Sequence, residues 1–541
     1  MTLVLRTTDE CLPPPKTRAQ AERDNPDSWK PAIQKELTAC TRNKTWRVIR
    51  ASDIPANRRC LYLLWVFKVK RDGTFKARLC VQGSRQVPGV DFDQSWAGTM
   101  RASSLRLLSA LAARDQLLIS RWDLTSAYLQ GELEEGETIY THPAPGEPTH
   151  DEHGNRLAWI LDKPLYGLVQ GGRRFQRCLF AWLLEQGFTR CKADPCLFVR
   201  DGNNPTDRII LGCYVDDIMV LHATDDVGST FCNFRDQFFK RWEAEDEGHM
   251  TDLLNVQIQR EPDGSIVLHQ QPYIKTLIAR FFPDGVPNHV QATSPPCTQD
   301  LAQLVADASL IPIPEHRSTA DEAVFRRYAS IVGSLLYAAT HTRPDITYAI
   351  GMLTRVMCKP NPLLLAAAER VLLYLSHHSA IGLRYTPSQT QPQGWTDASW
   401  DVGPSTSGWL INWQQAAVFF ASKKQPCIAT SSAHAEIIAL SEGAKECVHL
   451  QEFTDEVCPP TVRPMTLATD NKAARDLAYN PEYHDRTKHI ARRHFYVREV
   501  VEDHAIRVPF VATHENLADF FTKYMPPKKF FALRKIIMNL H

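Results

Sequence analysis

Residues 210–222 read ILGCYVDDIMVLH, an apolar run with Asp216 and Asp217 side by side at its centre. Ile, Leu, Met and Val on both sides direct this backbone into a core, where an uncompensated charge is costly. Two carboxylates ~4 Å apart repel by roughly 4 kcal/mol at an effective dielectric near 20. A fold that keeps such a pair has to offset the repulsion, and a divalent cation is the obvious candidate. Taken alone, the pair is equally a turn of good turn formers between two short strands, 209–215 and 218–223. The question is whether other parts of the chain send carboxylates to the same point, since one strand cannot surround an ion.

At 541 residues the chain exceeds what one core organises and predicts about two to four domains. Its apolar fraction of 43% is that of an ordinary soluble globular protein. The 62 basic and 61 acidic side chains nearly cancel. That excludes a chain-wide basic field and leaves nucleic-acid contact to local patches. Fourteen cysteines are scattered with no C-x-x-C pair, so free thiols in a reducing compartment are expected rather than a zinc site. No apolar stretch reaches 18 residues, and the opening MTLVLRTTDECLPPP has no signal-peptide core. The expectation is a soluble intracellular protein without a membrane partner.

Residues 1–25 are polar and proline-rich and predict a flexible lead-in. LYLLWVFKVK (61–70) and FKARLCVQG (75–83) predict strands joined at RDGT. SSLRLLSALAARD predicts a helix with Leu105, Leu108 and Ala112 on one face. LLISRWDLTSAYL predicts a strand that bends away, and RRFQRCLFAWLLEQGF a helix stopping near Gly187. Prolines after Phe282 mark a linker, three helical stretches follow, and TPSQTQPQG (386–394) separates them from a new α/β pattern. There GWTDASW, SGWLINW and AVFFASKK predict short strands. A helix over 433–453, a strand ending at Asp470, another helix, a strand over 506–511 and a final helix complete the pattern. The order predicts an α+β multidomain chain.

A metal-bound phosphoryl-transfer site needs carboxylates converging from different elements. Asp123, at the end of its own strand, is the natural third member beside Asp216 and Asp217. Oxygen-only ligands suit magnesium, and two ions ~3.5–4 Å apart stabilise the attacking and leaving oxygens of a displacement. A second set lies in the last third of the chain. Asp397 is on a strand, Glu436 in the first turns of a helix, Asp470 at a strand end, and Asp519 opens a late helix. Singly these are as well explained by capping and dipole contacts. Arg78, Lys68 and Lys70 read equally as a solvated strand face.

FKARLCVQG, DLTSAYLQGELEEGETIY, KPLYGLVQGGRRF and YVDDIMV, in that order, resemble the reverse transcriptase of copia-type LTR retrotransposons from about Trp29 to Phe282. SKKQP, SSAHAEIIALSEGAKE, TDNKAARDLAYNP, RTKHI and THENLADFFTK resemble the ribonuclease H of the same family over roughly 394–530. The resemblance implies a right-hand polymerase (fingers, palm and thumb) with a helical connection and a C-terminal RNase H-like α/β domain. Residues 26–282 would be fingers and palm, 283–393 linker and thumb or connection, 394–530 the RNase H-like domain, and 531–541 a tail.

The implied activity is RNA-directed DNA polymerisation with ribonuclease H cleavage, using two Mg2+ ions per site, with Mn2+ as an alternative. Asp123, Asp216 and Asp217 would hold metal in the polymerase, and Asp397, Glu436, Asp470 and Asp519 in the nuclease, with His514 assisting. Tyr128 would screen out the ribose 2′-hydroxyl, and Arg78 would hold the incoming triphosphate beside Lys68 and Lys70. Gln170 would lie against the nucleotide and Tyr214 would line the primer end. Arg486, Lys488, His489, Arg492, Arg493, His494 and Arg498 would grip hybrid phosphates.

Implied partners are an RNA template, a DNA primer, an RNA–DNA hybrid and deoxynucleoside triphosphates. The implied location is the cytoplasm, in a virus-like particle, with the nucleus as an alternative. Two segments depart from the family: Val169-Gln170-Gly171-Gly172-Arg173 stands where relatives carry Lys-Gln-Ala-Pro-Arg, and SWAGTMRASS replaces Phe-Ala-Pro-Val. The competing reading is a decayed or domesticated copy that binds nucleic acid without catalysis.

Overall fold

An apolar run that does not alternate is the pattern of a strand pair covered on both faces. In the computed structural model, Ile209–Tyr214 pairs antiparallel with Asp217–His222, and every residue from Ile218 to His222 is buried. The structure describes residues 14–69, 73–202, 207–400, 404–458, 463–480 and 491–540, without the side chains of 491–495. The Asp123 strand, Leu118–Leu124, pairs with the other side of the hairpin, Ile218 opposite Trp122. Ala244–His249 closes that edge, and Leu197–Arg200 and Thr189–Arg190 extend the opposite one into a six-stranded sheet. Trp122 is fully buried among Phe231, Phe234 and Phe238, at ring distances of 5.9, 5.8 and 4.7 Å. Those phenylalanines lie on the helix Thr230–Arg241, at the helical spacing that puts them on one face.

Upstream, Leu63–Val69 and Phe75–Val81 form the expected two-stranded hairpin. Its inner face packs on Trp29, which meets Phe67 and Phe75 edge-on at 5.0 and 4.6 Å. The expected lead-in is partly folded: Arg18–Asp24 is a helix capped by Thr17, and Arg18 pairs with Glu147 at 2.9 Å.

Beyond Phe282 come the helices Leu301–Leu310, Thr319–His341, Thr347–Thr354 and Pro362–His377. The strand Leu383–Tyr385, from the stretch expected to be linker and thumb, pairs with Ile266–His269 and so completes a sheet begun before Phe282.

The last part builds on a five-stranded sheet. Ala416–Lys424, Thr406–Trp413 and Gln393–Ser399 form an antiparallel meander, and Met465–Thr469 and Ile506–Arg507 add in parallel. The helix Ser432–Val457, longer than the expected 433–453, makes the crossover. At Gly443 an added Cβ would lie 2.6 Å from the Thr396 methyl, so the helix comes close to the Asp397 strand. The expected strand 506–511 is regular only at Ile506–Arg507, with a bridge at Phe510. The expected tail is a helix instead, Pro527–Met538. Phe530, Leu533 and Ile537 recur at the spacing that buries one helical face.

Two buried arginines join these parts. Arg106 donates to the carbonyls of Val418 (2.7 Å), Thr340 (2.7 Å) and His341 (3.1 Å), binding the helix Ala102–Arg114 to both later units. Arg343 and Asp345 form a fully buried ion pair at 2.6 Å. The hydroxyl of Tyr374 also donates to Asp345 and accepts from Arg534 at 2.8 Å, so the network reaches the C-terminal helix. Burial raises the Asp345 carboxyl, but the Arg343 guanidinium outweighs burial and holds it below the usual carboxylate value. Breaking a buried pair from one side leaves a stranded charge. Asp345→Ala is therefore expected to cost about 3–5 kcal/mol in denaturant unfolding, and the double change Arg343→Met with Asp345→Leu is expected to recover most of that loss.

Candidate active sites

The tip of the apolar hairpin is a two-residue turn, Val215 and Asp216, between the paired residues Tyr214 and Asp217. Val215 has φ +58°, the positive value that the first turn residue of a type II′ hairpin takes and that glycine normally fills. A β-branched residue there carries strain of about 1–2 kcal/mol. The turn is pinned from the neighbouring strand, where the Leu124 N–H donates to the Asp216 carbonyl at 2.9 Å. Asp217 lies directly opposite Asp123 in the ladder, so the backbone gathers all three aspartates. Burial, then the carboxylates of Asp216, Asp217 and Glu247, push the Asp123 carboxyl up to about 6.

The side chains are less gathered than the backbone. The carboxylate oxygens of Asp123, Asp216 and Asp217 do not form a group within 4.8 Å of one another. The expected three-ligand set is thus assembled by the strands but not closed. Asp217 is held by Arg121, whose Nη2 and Nε bond its Oδ1 at 2.7 and 3.1 Å. Burial raises the Asp217 carboxyl and Arg121 opposes it. Arg121 was absent from the sequence-based expectation, yet it lies two residues before Asp123, on the same strand face by the two-residue period.

A contact path runs from this tip to the basic strand. Tyr128 sits on the short turn Ala127–Gln130, its ring 4.9 Å from that of Tyr166. The Arg78 guanidinium lies over the other ring of the pair, 4.8 Å from the centre of Tyr166. Asp216 raises both tyrosine hydroxyls after burial does. Tyr166 was also unforeseen, and the glycine after it shows why it sits there. Gly167 has φ +86°, and a Cβ on it would fall 2.2 Å from the Val81 carbonyl, so only glycine lets this loop lie on the Arg78 strand.

Lys68 is exposed opposite Lys76, on the same face as Arg78, while Lys70 lies outside the described residues. Tyr214 is half-buried, and the Tyr337 hydroxyl is raised by burial and then by Tyr214.

Gln170 corrects its expectation. It is fully buried, accepts from Gln86 at 3.0 Å and donates to the Asp91 carbonyl at 3.2 Å and to Glu137, so it braces the fold and presents nothing to a nucleotide. Gly171 and Gly172 open the helix Gly171–Glu185. A Cβ at Gly172 would come 3.4 Å from the Tyr128 hydroxyl.

The second acidic set closes tightly. Among the described residues, Asp397, Glu436 and Asp470 form the one group of three or more acidic, His or Cys residues whose ligand atoms all lie within 4.8 Å of one another. They come from the central strand Gln393–Ser399, the first turns of the helix Ser432–Val457, and the residue after the strand Met465–Thr469. Glu436 is buried, and its Oε2 has no hydrogen-bond partner. Burial, then Asp397 and Asp470, push its carboxyl up to about 9. Burial pushes Asp397 to about 6 although the Thr522 hydroxyl donates to it. An orphaned buried oxygen among hard oxygen donors fits a divalent cation of the magnesium class.

Asp519 is outside this group. It lies on the short turn Leu517–Phe521 rather than opening a helix, and Lys523 (2.6 Å) and Lys529 (3.3 Å) hold it. His514 is 82% exposed and lies 3.9 Å from Glu515, its one carboxylate partner among the described residues. Arg486, Lys488 and His489 lie outside the described residues, as do the side chains of Arg492, Arg493 and His494.

A family model described as reverse transcriptase (RNA-dependent DNA polymerase) matches residues 43–290. The retrovirus-related Pol polyprotein from transposon TNT 1-94 of Nicotiana tabacum is 31% identical over 522 residues, covering 94% of this chain and 38% of that protein. The corresponding polyprotein from transposon RE1 of Arabidopsis thaliana is 30% identical over 519 residues, covering 94% and 33%. This chain therefore spans about a third of the length of these relatives. A solved foamy viral protease-reverse transcriptase in complex with double-stranded DNA aligns over 90% of this chain and 70% of its own. Its TM-score is 0.48 at 11% identity, a distant likeness.

Glu436 gives a pH-dependent expectation. Its carboxyl is neutral in the folded, metal-free protein and ionised in the unfolded chain near pH 7. The stability it contributes is thus full below about 4.5 and is lost as pH rises toward about 9. Glu436→Gln should raise the thermal midpoint of the metal-free protein at pH 7.5 and flatten its pH dependence. Cation binding to the unsubstituted site should release about one proton, read by calorimetry in buffers of different ionisation enthalpy.

Proposed function

Residues 43–290 belong to the reverse transcriptase (RNA-dependent DNA polymerase) family, within a chain related over most of its length to transposon Pol polyproteins, and from that premise we propose that it is the polymerase and ribonuclease H segment of a copia-type polyprotein. The observation that carries the reading is the ladder register that sets Asp123 opposite Asp217 beneath a strained turn holding Asp216. Backbone strain of this kind concentrates at functional sites.

On this reading the six-stranded sheet is the palm, the N-terminal strands are the fingers, and the helices from Leu301 to His377 are thumb and connection. The five-stranded sheet, with its crossover helix, is an RNase H-like domain that takes in the final helix.

In the polymerase, the primer 3′-hydroxyl attacks the α-phosphate of a deoxynucleoside triphosphate and pyrophosphate leaves. Asp123, Asp216 and Asp217 would hold Mg2+, which when bound offsets charge on the attacking and leaving oxygens. Arg78, backed by the Tyr166 ring, supplies a fixed positive charge for the triphosphate. Tyr128 supplies a wall on the sugar side, and Tyr214 faces the primer end. In the nuclease, Asp397, Glu436 and Asp470 would hold the cation that directs water at the RNA strand of an RNA–DNA hybrid. Lys523 and Lys529 keep Asp519 neutralised beside them.

Primer extension on an RNA template with Mg2+ tests the first activity. Asp216→Asn should lower its rate at least about a hundredfold and leave hybrid cleavage intact. Glu436→Gln should do the reverse. Folded protein that extends no primer, with Asp216→Asn making no difference, would support a copy that binds nucleic acid without catalysis. Tyr128→Ala should raise incorporation of ribonucleotides relative to deoxynucleotides, read by competition between the two at one template position.

A further inference from the structure

Arg121 is the one strand residue at the polymerase tip that neither the carboxylates nor the substrate-facing residues account for. It shares a strand face with Asp123. Both of its donors to Asp217 go to one oxygen, Oδ1, leaving Oδ2 without a hydrogen bond among the described residues.

The edge strand Ala244–His249 is deformed just here. Asp246 faces Trp122 and His249 faces Ser120, so Glu247 and Gly248 together oppose the single residue Arg121. This is a two-against-one β-bulge, with Gly248 at φ +72°. Bulges re-aim side chains, and this one brings Glu247 to 3.1 Å from the Arg121 Nε. Asp252, on the next strand, stands 3.6 Å from Nη1 and also accepts from it through its carbonyl at 3.4 Å.

One guanidinium therefore has three carboxylate partners. Asp217 is the most enclosed, with a side-chain exposure of 18%, against 39% for Glu247 and 40% for Asp252. A cation drawn to Asp217 would compete with Arg121 for the charge of one carboxylate, of which Arg121 holds Oδ1 and leaves Oδ2 open. The two more exposed carboxylates lie within reach of a change in side-chain torsion alone.

Resting on the polymerase reading above, we propose that Arg121 is a resident counter-ion of that site: it balances Asp217 while no divalent cation is bound, and passes to Glu247 and Asp252 when one binds. It is a positioning residue, acting through Asp217. The role explains why the ladder gathers three aspartates while their oxygens remain unconverged, and why a bulge is built opposite this one arginine.

The test is Mn2+ binding to the full chain carrying E436Q and D470N, which silence the C-terminal cluster, followed by electron paramagnetic resonance without substrate. Adding R121Q should tighten the binding about tenfold, the equivalent of one modest ion pair. R121K, which keeps the charge but not the fork, should tighten it about twofold. E247Q should weaken binding more in the chain that keeps Arg121 than in the R121Q chain, because the transfer needs a recipient.

Equal or weaker Mn2+ binding in R121Q overturns the proposal, and so do equal effects of E247Q in the two backgrounds. A thermal melt identifies any variant that does not fold. If R121Q is one of them, R121K carries the comparison, and unchanged binding there is the overturning result. Mn2+ binding that D123N leaves untouched overturns the metal reading of the site itself, and is told apart because it is seen before Arg121 is altered.

Discussion

Asp123 and Asp217 face each other across one antiparallel pair with Asp216 at the adjoining turn, and the frame around them has to bear their mutual repulsion. That requirement explains features that look unrelated. The strands behind the tip are apolar on both faces, so the hairpin is fixed by burial and cannot splay to separate the charges. The Trp122 cluster anchors the Asp123 strand one residue from its carboxylate. The Asp216 carbonyl is tied back to Leu124, which holds a valine in a conformation it would otherwise leave. Rigid packing lets a few kcal/mol of local strain and repulsion persist, because relaxing either would open a core that is worth far more.

The two acidic sites meet the same constraint by different means. At the hairpin tip the groups are partly solvated, and the compensation is a guanidinium shared among Asp217, Glu247 and Asp252. In the C-terminal sheet the carboxylates are buried more deeply, and compensation comes as a proton on Glu436 and two lysines on Asp519. Glu436, buried with an orphaned oxygen between Asp397 and Asp470, stays neutral until a cation replaces its proton, whereas Asp519 is met by the two lysines beside it.

Much of this was legible in the sequence because it is local. The continuous apolar run, the strand-end Asp123 and the helical placement of Glu436 need only periodicity and neighbours. Arg121 was legible too, since a charge two residues from Asp123 must share its strand face. The final helix carried its own signal in Phe530, Leu533 and Ile537. Gln170 was not legible: its partners Gln86, Asp91 and Glu137 come from distant loops, and nothing nearby marks it as buried. The bulge at Glu247 likewise depends on how separate segments meet, whereas Lys523 lies only four residues after the Asp519 it holds.

Proline-rich joints near 283 and 386 suggested separate bodies, but one buried apolar cluster runs continuously from Met100 to Met538. The strand Leu383–Tyr385 crosses the first of those joints to complete a sheet, and Arg106 fastens one helix to two later units through three carbonyls. Its guanidinium is buried without a carboxylate bond among the described residues, so separating the units would strand both the charge and the carbonyls it serves. Core and arginine together favour one rigid spacing between the two acidic sites over a hinged pair. On the proposed reading, a duplex held at both sites would then be engaged at a fixed separation, set by the packing of Ala102–Arg114 against the C-terminal sheet.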